Sequence, residues 1–191
     1  MKHIELKGQL RQTGNKAVIK AIRRQGLVPC NLYGNGIENV IFTVDARDLK
    51  AITNTPASHL IDIVLDNGEK YVAILHEAQW HPVTDEALHM DFLAVADNKP
   101  VVIAVPVKVT GHSEGVKLGG KLSVAVRKLK VSALPANLPD EIEVDVTSLQ
   151  IGKQISAGDL HFENFNIVSP KATIICAVKA TRASATAATE E

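Results

Sequence analysis

Polar and apolar positions alternate over residues 2–11, with Ile4, Leu6, Gly8 and Leu10 on one side and charged residues on the other, which predicts a strand. The period then changes. From Asn15 to Gln25, Val18, Ile19 and Ile22 recur at helical spacing, Lys16, Lys20, Arg23 and Arg24 fill other positions, and Gly26 offers a C-terminal stop. A helix this short is unstable alone, so it is expected to pack on a sheet. Leu27–Tyr33 and Val40–Val44 read as strands joined through an Asn35-Gly36 turn. Asp45 is placed to cap a helix over Ala46–Ile52, with Asp48 as an imperfect capping-box partner. Ser58–Leu65 and Lys70–Gln79 flank Asp66-Asn67-Gly68, a strong hairpin signal, and Leu88–Val95 follows Trp80-His81-Pro82. Residues 1–95 therefore predict a small, mainly β unit carrying two helices.

Asp97-Asn98-Lys99-Pro100 is turn-rich and marks a boundary. Beyond it, Val101–Val109, Lys121–Val126, Lys128–Ala133, Glu141–Val146 and Thr173–Lys179 are β-rich runs separated by Gly and Pro segments, the pattern of an all-β sandwich or barrel. Pro106 predicts that the first of these strands is an edge or bulged strand. Thr181–Glu191 has no aliphatic side chain larger than Ala and reads as a disordered tail. The expected fold is mainly β with short helices, in two domains, 1–95 and 96–180, followed by the tail 181–191.

Composition narrows the class. At 191 residues, 46% hydrophobic and 22% charged, the chain can build real cores and is not a disordered one. Its longest apolar runs, such as Val101–Val105, fall far short of the roughly 20 residues a membrane helix needs. A soluble protein without a membrane partner is expected. The N-terminus shows no apolar core of signal-peptide length, and Cys30 and Cys176 lie far apart, so a reducing cytoplasm fits. The formal net charge of zero hides an uneven distribution: residues 1–30 carry seven cations against one acid, and residues 31–191 carry 14 against 20. Such a chain can present a local positive field to a polyanion.

Constellations for catalysis are weak. The cysteines have no CxxC partner and read as core residues. His76, His81 and His89 fall close together, but their spacing matches no helical or zinc-finger ligand pattern. Gly34-Asn35-Gly36 and Gly119-Gly120 lack the strand-to-helix context of a phosphate loop, and there is no serine nucleophile elbow. No catalytic residue, metal, cofactor or small-molecule substrate is expected. The seven aromatic residues are scattered, which disfavours single-strand stacking and favours a folded RNA duplex, approached through phosphates, 2′-hydroxyls and minor-groove edges. A basic helix together with Gln79 and His81 suits that task better than catalysis.

Several segments together resemble a known family. Arg23–Gly34 (RRQGLVPCNLYG), Gln79-Trp80-His81-Pro82 and Leu88–Phe92 (LHMDF) are similar to the bacterial large-subunit ribosomal proteins that bind 5S rRNA, in their long two-domain form, the general stress protein Ctc family. Val105–Gly111, Gly115–Gly120, Leu138–Val146 and Leu149–Gly152 resemble that family's C-terminal β-domain. The resemblance implies an N-terminal β-barrel that docks on an internal-loop duplex of 5S rRNA through its minor groove, and cytoplasmic, ribosome-associated work beside other large-subunit components. It implies phosphate and sugar contacts for Arg11, Lys16, Lys20 and Arg23, with Arg24 as a further cation. Gln79 and His81 match a Gln-basic-His-Pro motif, and His89 and Asp91 a His-x-Asp-Phe motif. Trp80 stands where the family commonly has arginine, replacing a charge with a ring that can lie on a ribose or base.

Binding of this kind should weaken steeply with salt. Four or five phosphate contacts give a log–log slope of roughly −3 to −5. Other classes remain to be weighed: a tRNA-binding module, by analogy with paired β-barrels in some tRNA synthetases; a protein-interaction or carrier module built on an acidic C-terminal β-domain; and an enzyme using His81, His89 and Asp91. The last requires an enclosed pocket with convergent groups.

Overall fold

The computed structural model describes residues 3–181. Two compact units separate within them: the first runs up to Ile103 and includes Leu134–Ala136, and the second holds Ala104–Ala133 and the chain from Asn137 onward.

In the first unit six strands, β1 (His3–Leu10), β2 (Leu27–Gly34), β3 (Ile37–Asp45), β4 (Leu60–Leu65), β5 (Lys70–Trp80) and β6 (Ala87–Ala94), close a barrel in the order β1-β3-β2-β6-β5-β4. Closure rests on a parallel ladder between β1 and β4, from His3 opposite Leu60 to Gly8 opposite Leu65, and on a short antiparallel contact of Gln9 and Leu10 with β3. A closed ring leaves no strand edge to pair with another chain. Inward positions fill the barrel with Leu6, Cys30, Leu32, Phe42, Ile61, Ile63, Met90 and Phe92, all at most 1% exposed. The Phe42 and Phe92 rings lie 5.9 Å apart between centroids. Gly8 is required by this packing, because a Cβ there would come within 2.6 Å of Phe42 Cδ2.

The turns obey their chemistry. Asn35 (φ 52°) and Gly36 (φ 78°) are both left-handed, the geometry that joins twisted antiparallel strands with least strain. Helix α1 (Lys16–Arg24) is capped by Asn15, whose side chain accepts from the Val18 N–H at 3.1 Å. It packs on β2 through Ile19 and Ile22, which are half-buried, and it buries no residue completely. Val18, expected on the packed face, is instead 46% exposed, because a single helix on a convex barrel touches it along a narrow stripe only. Helix α2 (Ala46–Thr53) is capped by Asp45, which accepts from the Arg47 N–H at 2.8 Å, and buries Leu49 and Ile52.

Beyond the barrel one sheet has the order β10-β7-β9-β12, formed by β7 (Val101–Thr110), whose first three residues belong to the first unit, β9 (Lys128–Ala133), β10 (Ile142–Asp145) and β12 (Asn166–Ile167). A second sheet has the order β11-β13-β8, formed by β8 (Lys121–Val124), β11 (Gln154–Ser156) and β13 (Ile174–Lys179). The expectation of an edge for the Pro106 strand is corrected: β7 is interior, and its pairing with β10 begins at Val107, so the missing N–H interrupts no rung of that ladder. A one-turn helix, α3 (Glu114–Lys117), was not legible in the hydrophobic pattern. It rests backbone to backbone on the distant loop between β10 and β11, where the Gly115 N–H donates to Leu149 O and a Cβ on Gly115 would meet Ile151 N at 2.7 Å. Of the tail expected at 181–191, Thr181 donates its hydroxyl to Gly119 O at 2.7 Å, and residues 182–191 lie outside the described residues.

Candidate nucleic-acid interface

Strand register decides which polar side chains share a surface. Across β5 and β6, Gln79 stands opposite His89 and Glu77 opposite Asp91. Across β6 and β2, Asp91 stands opposite Asn31, and across β2 and β3, Asn31 stands opposite Ile41, whose carbonyl accepts from the Arg11 N–H at 3.1 Å. These residues alternate with the buried Met90, Cys30, Leu32 and Phe42, so they point to the outside of the barrel. One row thus runs Glu77, Asp91, Asn31, Ile41 and Arg11 over the sheet, with Gln79 and His89 beside it.

Three atoms of this surface are buried without a hydrogen-bond partner: Arg11 Nε, Asn31 Oδ1 and His89 Nδ1. The last lies 3.7 Å from Asp91 Oδ1, too far for a hydrogen bond. Unpaired buried donors and acceptors cost free energy, and three on one outer face are polar positions that a docking polar partner can help to satisfy. Asn31 was not singled out by sequence; its signal was one amide within the apolar run Leu27–Tyr33.

Two register shifts free further groups. Between Gln79 and Trp80 the partner strand skips Leu88, whose carbonyl accepts from Arg23 Nε at 3.0 Å and ties α1 to β6. Between Leu75 and Glu77, His76 leaves the ladder, and its Nδ1 meets the Tyr33 hydroxyl at 3.2 Å. His81, in the loop joining β5 to β6, accepts at Nδ1 from the N–H groups of Val83 (3.3 Å) and Thr84 (3.2 Å). Its ring proton therefore resides on Nε2, ready to donate. The three histidines have separate surroundings, and among the described residues no group of three His, Cys, Asp or Glu is arranged to hold a metal ion. Both cysteines are buried; burial pushes the Cys30 thiol up to about 12 and raises that of Cys176.

The remaining expected residues fall into two groups. Lys16, Lys20 and Arg24 are exposed on α1 at successive four-residue intervals, one basic stripe beside the sheet surface. Trp80 stands apart from them. It is 45% exposed and lines a groove of about 380 Å³ at the end of the barrel, between α2 and the β5–β6 loop. Arg47 and Lys50 of α2 also line it, and neither was singled out by sequence.

Charge is divided within the barrel chain. Residues 31–95 carry ten acids and three cations, whereas residues 96–191 carry ten acids and eleven cations. The acidic excess thus belongs to residues 31–95 of the barrel unit, spread over strands, turns and α2, and the reading of an acidic C-terminal domain is corrected. A polyanion is attracted to the exposed cations of α1, Lys16, Lys20 and Arg24.

The sequence profile of the Ribosomal L25p family matches residues 6–92, and that of the ribosomal protein TL5 C-terminal domain matches residues 100–182. The chain belongs to the ribosomal L25p family. The protein named "Large ribosomal subunit protein bL25" of Porphyromonas gingivalis is 45% identical over 191 residues, covering 100% of both chains. Those of the same name from Bacteroides thetaiotaomicron and Phocaeicola vulgatus are 44% and 42% identical, each covering 98% of this chain. L25p membership makes the chain a ribosomal protein with a structural rather than an enzymatic role, working on ribosomes in the cytoplasm. Among the described residues, no helix is long and apolar enough to cross a membrane.

Proposed function

We propose that this chain is a structural component of the large ribosomal subunit that binds 5S rRNA, laying the outer face of β2, β5 and β6 on the minor groove of an internal-loop duplex. The observation that carries the reading is the trio of unpartnered atoms, Arg11 Nε, Asn31 Oδ1 and His89 Nδ1, gathered on one outer face beside a basic helix. A wide, shallow RNA minor groove presents 2′-hydroxyls and base edges that donate and accept at such positions. In this reading Gln79, His81, His89 and Asp91 read the groove, and Lys16, Lys20 and Arg24, with Arg11, neutralise phosphates. Arg23, whose Nε is committed to Leu88 O, acts chiefly by holding α1 in place. The surface is an open sheet face rather than an enclosed pocket, which favours docking over acid–base catalysis by His81, His89 and Asp91.

The test is a titration of the full chain against a 5S rRNA fragment containing the internal loop, with tRNA as competitor, at two salt concentrations. Tight, salt-sensitive, tRNA-resistant binding is expected. Equal affinity for tRNA would replace 5S rRNA by a generic ligand, and a salt-independent affinity would remove the phosphate contacts from the account.

A further inference from the structure

The groove at the barrel end is not used by a sheet surface that reads a duplex, yet its lining carries the chemistry of a nucleotide. We propose that it receives one unpaired, outward-turned nucleotide of the bound RNA, stacked on Trp80. The inference rests on the RNA-binding reading above and adds to it a discrete pocket with its own residues.

Four observations support it. The groove, about 380 Å³, lies in the size range of small-ligand sites and is large enough for a base with its ribose. Its lining includes an exposed ring, Trp80 at 45% exposure, together with the buried Leu49. An exposed indole costs solvation, and base stacking is the interaction a flat π-face suits best. Arg47 and Lys50 line the α2 side, where they can meet a phosphate, while Asp85 and Glu86 line the loop side, where carboxylates can accept from the ring N–H and amino groups of a base. A protein segment of one charge sign would satisfy only half of that lining; a nucleotide, anionic at one end and rich in donors at the other, satisfies both.

The pocket is also continuous with the docking face. Trp80 directly follows Gln79, Leu88 directly precedes His89, and Arg23 borders both regions, bonded to Leu88 O while lining the groove. The register shift at Gln79/Trp80 leaves Leu88 as the extra residue of β6, and Trp80, Ala87 and Leu88 at this irregularity all line the groove. An RNA strand leaving the duplex contact next to Gln79 and His89 meets the groove within one nucleotide's reach.

Trp80 is the single tryptophan of the chain, so its fluorescence reports on the groove alone. The experiment titrates the full chain with the 5S rRNA fragment, following binding by anisotropy of a label on the RNA and stacking by Trp80 emission and its protection from acrylamide. Quenching and protection that saturate together with the anisotropy are expected. Trp80→Ala should weaken binding by roughly five- to a hundredfold, the range base–aromatic stacking produces, with the salt slope unchanged. Trp80→Phe, which keeps a ring, should retain most of the affinity, and this separates stacking from misfolding. Binding that leaves Trp80 emission unmoved and is indifferent to Trp80→Ala overturns the inference and leaves the RNA-binding reading standing. Absence of any binding by anisotropy sinks both.

Discussion

At the scale of single residues, the side chains that fix the surface are distinct from those that would touch RNA. Arg23 is the clearest case. Its Nε holds Leu88 O at 3.0 Å, so Arg23→Ala is expected to weaken RNA binding by loosening α1 while leaving the salt slope nearly unchanged. Lys20→Ala should instead lower the slope by about 0.7–0.9 for one lost phosphate contact, and salt titrations of the two variants side by side check this. Gly8→Ala tests the core: the added methyl would press on Phe42, and a loss of about 1–3 kcal/mol is expected in urea unfolding. Cys30 gives the chain an alkaline limit. Its thiol is held neutral up to about 12 when folded, against an ordinary value of 9.0. The unfolded chain therefore releases this proton from about pH 9 while the folded chain keeps it, so this contribution to stability is intact below pH 9 and is lost as the pH rises towards 12. The urea midpoint should fall across that window, and Cys30→Ala should flatten the fall.

At the scale of elements, α1 is the most weakly held piece of the barrel unit. No residue of it is fully buried, and its start depends on the Asn15 side chain. Asn15→Ala is expected to cost about 1 kcal/mol of helix stability, and hydrogen exchange should show α1 amides opening faster than those of β2 or β6, with RNA slowing them. The sequence was legible where local chemistry determines structure: the Asn35-Gly36 turn, the Asp45 cap and the alternation of β4 and β6 are all settled by neighbours along the chain. It was not legible where distant backbone decides. The short helix at Glu114–Lys117 exists because Gly115 lies against Leu149–Ile151, and the two-residue strand Asn166–Ile167 exists because β9 offers it a partner. The same division holds for the candidate site. Gln79, His81, His89 and Asp91 stood in recognisable motifs, whereas Asn31 joins the surface only through strand register, and Arg47 and Lys50 reach the groove only through the packing of α2 on β1 and β3.

At the scale of the whole molecule, zero net charge conceals a barrel unit whose first thirty residues are basic and whose residues 31–95 are acidic. A neutral protein would ordinarily be indifferent to ionic strength. This one is expected to bind RNA with a log–log salt slope of roughly −3 to −4, from the four contacts of Arg11, Lys16, Lys20 and Arg24, as measured by anisotropy between low and physiological salt. The exposed cations of α1 draw RNA to the helix, so orientation is favoured before any hydrogen bond forms. The parallel ladder that closes the barrel adds an element of timing. β1 finds its partner β4 only when residues 60–65 have been made, and the face that carries Asn31, Gln79 and His89 is complete only after β6. During synthesis, at roughly 5–20 residues per second, the cations emerge seconds before the surface that gives them discrimination. The nascent chain is thus an indiscriminate polycation first and a selective one afterwards, and the last strand of the ring marks the change.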